Sequence, residues 1–167
     1  MIISKSKWKE LGKPAYDTYI VPVDSTLNLA QRIKAVRSCQ NVNPDIVEEN
    51  FPMCRIGTSG KTRIILIPLS AVARFSDVPQ HMDELDLWPV WIEELLALGE
   101  GYPIIHRQSI LMSLGSVWER PNGNRFFPYL EFYGAMCNLY LHKDGERITA
   151  PAKNCFFPAV SKESDNC

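Results

Sequence analysis

Residues 109–150 read SILMSLGSVWERPNGNRFFPYLEFYGAMCNLYLHKDGERITA, and this stretch decides the fold class. Pro121-Asn122-Gly123-Asn124 lies between aromatic segments, and Asn-Gly favours a tight hairpin turn because glycine takes positive φ without steric cost. Lys143-Asp144-Gly145-Glu146 is a second turn signal, between strand-like residues 136–142 and 147–150. The apolar run at 109–119 fits a helix or a strand, since periodicity alone does not separate them. Together the turns predict an antiparallel β-meander over about 110–150.

Upstream the pattern is mixed. Residues 16–23 (YDTYIVPV) are β-branched and aromatic with alternation, and Pro22 makes this an edge strand or the end of one. Leu29, Ala30, Ile33 and Val36 recur at helical spacing and predict an amphipathic helix over 25–38, with Asp24 or Ser25 as N-cap. Residues 39–62 read as loop, with one short helical turn at 45–50. Residues 62–67 (TRIILI) form a buried strand closed by Pro68. In the next apolar segment, Pro89 fits best at a first helical position, where its missing amide hydrogen costs little. This predicts a helix over 89–98, with Gly99 and Gly101 as C-caps. The expected fold class is α+β: an antiparallel sheet of four to six strands, mostly a C-terminal meander. Two or three helices, those at 25–38 and 89–98 among them, pack on one of its faces.

Asn124-Arg125-Phe126-Phe127-Pro128 and Asn154-Cys155-Phe156-Phe157-Pro158 share the pattern Asn-x-Phe-Phe-Pro thirty residues apart. Two occurrences make no repeat architecture; they read as chance or as two similar strand starts.

With 167 residues and 46% hydrophobic content, residues 1–160 suffice for one soluble domain with a sizeable core, followed by a polar tail at 161–167 (SKESDNC) expected to fray. The cysteines, Cys39, Cys54, Cys137, Cys155 and Cys167, are odd in number and irregularly spaced, so they read as free thiols in a reducing compartment. No stretch has the length of a signal peptide core or of the roughly 20 residues of a membrane span. A cytoplasmic protein with no membrane partner is expected.

Net charge is −1, but its distribution is uneven: residues 81–104 hold no Lys or Arg and six carboxylates. Asp83, Glu84, Asp86, Glu93 and Glu94 surround Trp88 and Trp91. An aromatic anchor ringed by carboxylates suits a protein partner with a basic surface, because aromatic residues dominate interface hot spots and complementary charge speeds encounter. A second surface is the aromatic meander. Phe127, Tyr129 and Tyr133 could stack bases while Arg120, Arg125, Lys143 and Arg147 meet phosphates, although the glycine-containing RNA-recognition signature is absent.

Other constellations dissolve on inspection. Gly60-Lys61-Thr62 matches the end of a phosphate-binding loop, but Arg55 stands where its first glycine belongs, and the segment runs into a strand rather than a helix N-terminus. His81, His106 and His142 have no partner at metal-ligand spacing, and the carboxylates after His81 read as first-turn electrostatics. No nucleophile elbow is present, and neither Cys54 nor Cys137 sits in a catalytic context. No metal or cofactor is therefore expected. The sequence favours a non-catalytic binding protein, an adaptor or inhibitor of a larger assembly, over a nucleic-acid-binding module, and over a small hydrolase whose site is assembled from distant residues.

Overall fold

A computed structural model describes residues 16–37, 39–53, 60–102 and 108–162. Cys54, His106, Cys167, the start of the glycine loop at 57–59 and the tail beyond Lys162 lie outside the described residues. The strands are β1 (Thr18–Val23), β2 (Cys39–Val42), β3 (Gly60–Pro68), β4 (Leu87–Pro89), β5 (Ile110–Met112), β6 (Trp118–Glu119), β7 (Arg125–Tyr133), β8 (Met136–Lys143) and β9 (Cys155–Ser161). The helices are α1 (Leu29–Ala35), α2 (Val78–Glu84) and α3 (Ile92–Gly101), with short 3₁₀ turns at Leu69–Ala71, Phe75–Asp77 and Ala152–Asn154.

The fold is α+β, but the sheet is larger and more mixed than the turn signals predict. One nine-stranded sheet runs β1-β3-β9-β5-β7-β8-β2, with β4 added to β9 and β6 to β7. Most pairs are antiparallel, whereas β5 with β9 and β2 with β8 are parallel. The N-terminal half therefore supplies an antiparallel edge pair, β1 with β3, as well as the opposite edge, β2. Residues 147–150, expected as a strand, are irregular.

Both faces of the sheet are covered. Ile64 and Leu66 of β3 enter one core with Leu29 and Val36 beside α1 and Ile92, Leu95, Leu96 and Leu98 of α3. Ile65 and Ile67 enter the other, with Val78 and Met82 of α2, Phe127 and Phe157. A strand wet on one face would alternate; the unbroken run of 64–67 is the signature of a strand buried on both. Helices α1 and α3 thus pack on one face, as expected of the helices at 25–38 and 89–98, whereas α2, which the spacing does not predict, packs on the other. Fully burying a side chain of this size contributes about 1.5–3 kcal/mol, so each core is a substantial share of the driving force.

The helix boundaries moved for identifiable reasons. Helix α1 begins at Leu29 because Asn28 and Gln31 cap each other reciprocally at 2.9 Å. Asp24 spends its carboxylate on the Thr26 amide and hydroxyl instead. Buried Arg32 donates from Nε to the Leu27 carbonyl at 3.2 Å and from Nη2 to the Asp24 carbonyl, fixing the loop that enters the helix. Pro89 is not the first residue of a helix; it ends β4, opposite Ala159, and α3 starts three residues later. Gly99 lies inside α3, where an added Cβ would come within 2.7 Å of Leu130 Cδ1, so the missing side chain lets helix and sheet approach closely.

The Asn-x-Phe-Phe-Pro echo marks the starts of two equivalent central strands. β7 begins at Arg125 and β9 at Cys155, the second residue of each motif. Pro128 pairs with Leu141 on one side while its carbonyl accepts the Ser113 amide on the other, at 3.0 Å. Pro158 pairs with Leu66, and its carbonyl accepts the Val90 amide at 3.1 Å. A residue's N–H and C=O point to the same side of a strand. Each proline therefore aims its missing donor at the place where one short neighbour gives way to the next: β6 to β5 along β7, and β5 to β4 along β9. That placement explains how two prolines occupy central strands, from which proline is ordinarily excluded.

Candidate binding surface

Asp86, at φ +57°, turns the chain out of α2 and into β4. The next residues alternate as a strand requires: Leu87 is buried, Trp88 is 50% exposed, and Pro89 turns back toward the protein. Trp91, 36% exposed, precedes α3. Both tryptophans are thus accessible, held on the rigid junction between a strand and a helix. Asp83, Glu84 and Asp86 are exposed, with Glu84 accepting from the Gln80 side-chain amide at 3.0 Å.

A cation already occupies this surface. Lys162 Nζ lies 4.5 Å from the Trp88 ring centroid and donates to Asp83 Oδ1, while its backbone amide donates to the Asp86 carbonyl. Ser161 closes β9, so of the segment 161–167 expected to fray, the two described residues, Ser161 and Lys162, are held.

Glu93 and Glu94 do not belong to this surface. They are 1% and 0% exposed, because the first turn of α3 is pressed into the core on all sides. Glu94 Oε2 accepts the Trp91 amide at 2.8 Å, so its carboxylate serves the helix start. Of the grouping read from sequence spacing, Asp83, Glu84, Asp86, Trp88 and Trp91 are the exposed members.

Pro89 also lines a cleft of about 380 Å³ on the opposite face of β4. Phe75, Pro79, Met82, Leu114 and Phe127 make its walls apolar, and Arg125 and Asp144, paired at 3.5 Å, stand at it as the charged groups. Sequence reading missed this cleft because its lining comes from five separate segments.

The residues of the aromatic and basic grouping are divided between the two faces of the sheet, with Arg125 lying over the Phe127 ring, 5.7 Å from its centroid, on one of them. Phe127 is buried and packs edge-on against Phe75 with ring centroids 6.0 Å apart. Tyr129 stacks edge-on against Tyr140, and its hydroxyl pKa is pushed up to about 12, first by burial and then by Glu131 and other neighbours. Tyr133 is the most exposed of them, beside the glycine of the β7–β8 turn. Arg120 pairs with Asp45 at 2.7 Å and covers the Trp118 and Phe126 rings, whose strand positions face away from Phe127. Lys143 is the register partner of Phe126 and shares that second face, while Arg147 is exposed beyond β8.

Of the histidines, His81 Nε2 lies 2.9 Å from the Tyr16 hydroxyl, and His142 is buried against Phe75. No group of three or more His, Cys, Asp or Glu suited to a metal ion occurs among the described residues. No described helix is long and apolar enough to cross a membrane. No family model, no curated protein and no solved structure matches this chain.

Proposed function

We propose that this chain is a non-catalytic binding protein, an adaptor or inhibitor, that holds a protein partner with a basic surface against Trp88 and Trp91. The observation that carries this reading is the seat of Lys162 between the Trp88 face and Asp83, which displays on the protein itself the chemistry offered to a partner's Lys or Arg. Two indoles on a rigid junction cost little entropy to dock, and the carboxylates of Asp83, Glu84 and Asp86 would steer a cationic partner. The free thiols of Cys39, Cys137 and Cys155 suit a cytoplasmic setting.

The test is a pull-down with the tagged chain after nuclease treatment, comparing wild type with Trp88→Ala/Trp91→Ala and with Asp83→Lys/Glu84→Lys. The reading requires that the same protein be retained by wild type and lost from both variants, with their circular dichroism unchanged. Retention by both variants overturns it. Material recovered only before nuclease treatment transfers the weight to nucleic acid.

A further inference from the structure

Cys39 and Cys137 are register partners on the adjacent parallel strands β2 and β8, and both side chains turn toward the same core. Neighbouring strands lie about 4.8 Å apart, within the roughly 4.4–6.8 Å Cα separation that disulfides adopt. The two thiols differ in access: Cys137 is fully buried, whereas Cys39 is half-buried on a four-residue edge strand. A register irregularity follows Cys39, giving the edge slack, and the Asn41 amide donates to Asn138 Oδ1 at 2.8 Å, clipping the strands together beside the pair.

We propose that Cys39 and Cys137 form a reversible dithiol–disulfide site that responds to hydroperoxides, with Cys39 as the attacking thiol and Cys137 as the resolving one. Cys39 Sγ donates to the Asn41 carbonyl and Cys137 Sγ to the Asn138 carbonyl, each at 3.9 Å, and the neighbouring thiol draws the Cys39 pKa below the ordinary thiol value and, with burial, holds that of Cys137 above it. The thiolate population thus falls on the sulfur that solvent can reach. In the first step the Cys39 thiolate attacks one peroxide oxygen. The O–O bond breaks, the leaving hydroxide takes a proton to become water, and Cys39 becomes a sulfenic acid. Cys137 then attacks the Cys39 sulfur, the S–O bond breaks, and the hydroxide leaves with the Cys137 proton as a second water. Two thiols are oxidised by two electrons while hydrogen peroxide is reduced to two waters. The product covalently joins the β2 edge to β8 and closes the long loop between them, which raises thermal stability chiefly by restricting the unfolded chain.

Cys155 provides an internal comparison, since its thiol is buried and its pKa is pushed up to about 12 by desolvation. The experiment exposes the folded chain to a small molar excess of hydrogen peroxide, followed by intact mass and non-reducing peptide mapping. The expected result is loss of two hydrogens, a Cys39–Cys137 cross-linked peptide, a melting temperature raised by several degrees and full reversal by dithiothreitol. Cys39→Ser should abolish the link, and Cys137→Ala should leave a sulfenic acid on Cys39 that dimedone traps. Over-oxidation of Cys39 without a link in the wild type, or a link running through Cys54, Cys155 or Cys167 instead, overturns the assignment.

Discussion

Ser116 Oγ accepts the backbone N–H of Ile92 at 2.8 Å, so helix α3 takes a cap from a residue 24 positions away. Three residues earlier on the same connection, Ser113 Oγ donates to the Val90 carbonyl at 2.6 Å, and Gly115 N donates to that same carbonyl at 3.0 Å. The Trp88–Trp91 junction is therefore held from beneath by residues 113–116. Ser116→Ala should strand the buried Ile92 amide and cost about 1–2 kcal/mol, measured by urea denaturation.

Gly115→Ala should be worse. A Cβ there would lie 2.5 Å from the Val90 carbonyl oxygen and 2.9 Å from that of Pro89, both backbone atoms that cannot rotate away. A loss of about 3 kcal/mol or more is expected, near the severe end for a single substitution. At Gly60 an added Cβ meets nothing within 4 Å, so Gly60→Ala should leave the melting temperature unchanged or slightly raised.

Glu94 and Glu84 stand ten residues apart and should respond oppositely to charge reversal. Glu94→Lys buries an ammonium where a carboxylate receives the Trp91 amide, and an expected cost of roughly 3–5 kcal/mol should appear as insoluble expression or a collapsed melting temperature. Glu84→Lys on the exposed side of α2 should shift stability by no more than about 0.5 kcal/mol.

Stability should also fall with acid through His142. Burial pushes its pKa below the ordinary 6.5, and Asp144 and Glu146 offset that only in part. Because the folded value is the lower one, the full contribution is present above about 6.5. It is lost as pH falls from there toward the folded value, where the unfolded chain takes up a proton that the folded chain resists. His142→Phe should flatten this segment of the curve of unfolding free energy against pH relative to wild type.

The sequence carried the local signals and lost the ones made in space. The Asn122-Gly123 turn was legible because Gly123 adopts φ +80° and its N–H donates the turn bond to the Arg120 carbonyl, all within four residues. The unbroken run 64–67 announced a buried strand for the same reason. Pro89 misled because a proline is tolerated in a strand where its missing amide points away from the paired strand, and here the next amide, that of Val90, makes the bond to Pro158 of β9. The acidic grouping around the tryptophans was half legible. Asp83 and Asp86 stay in water, while Glu93 and Glu94, which composition cannot distinguish from them, turn inward with their helix. Lys162 could not have been assigned to Trp88 from sequence, since the pairing rests on β9 lying beside β4. The Cys39–Cys137 register was hidden likewise, because nothing local specifies a parallel partner 98 residues on.

The place of β9 has a consequence for how this protein is made. Residues 155–161 follow every other described strand along the chain, yet they sit between β3 and β5 and join the two halves of the sheet. Until these residues are synthesised, the β1–β3 pair and the β5–β7–β8 ribbon share no neighbouring strand. A chain truncated before Cys155 should therefore leave those two halves unjoined and be readily proteolysed.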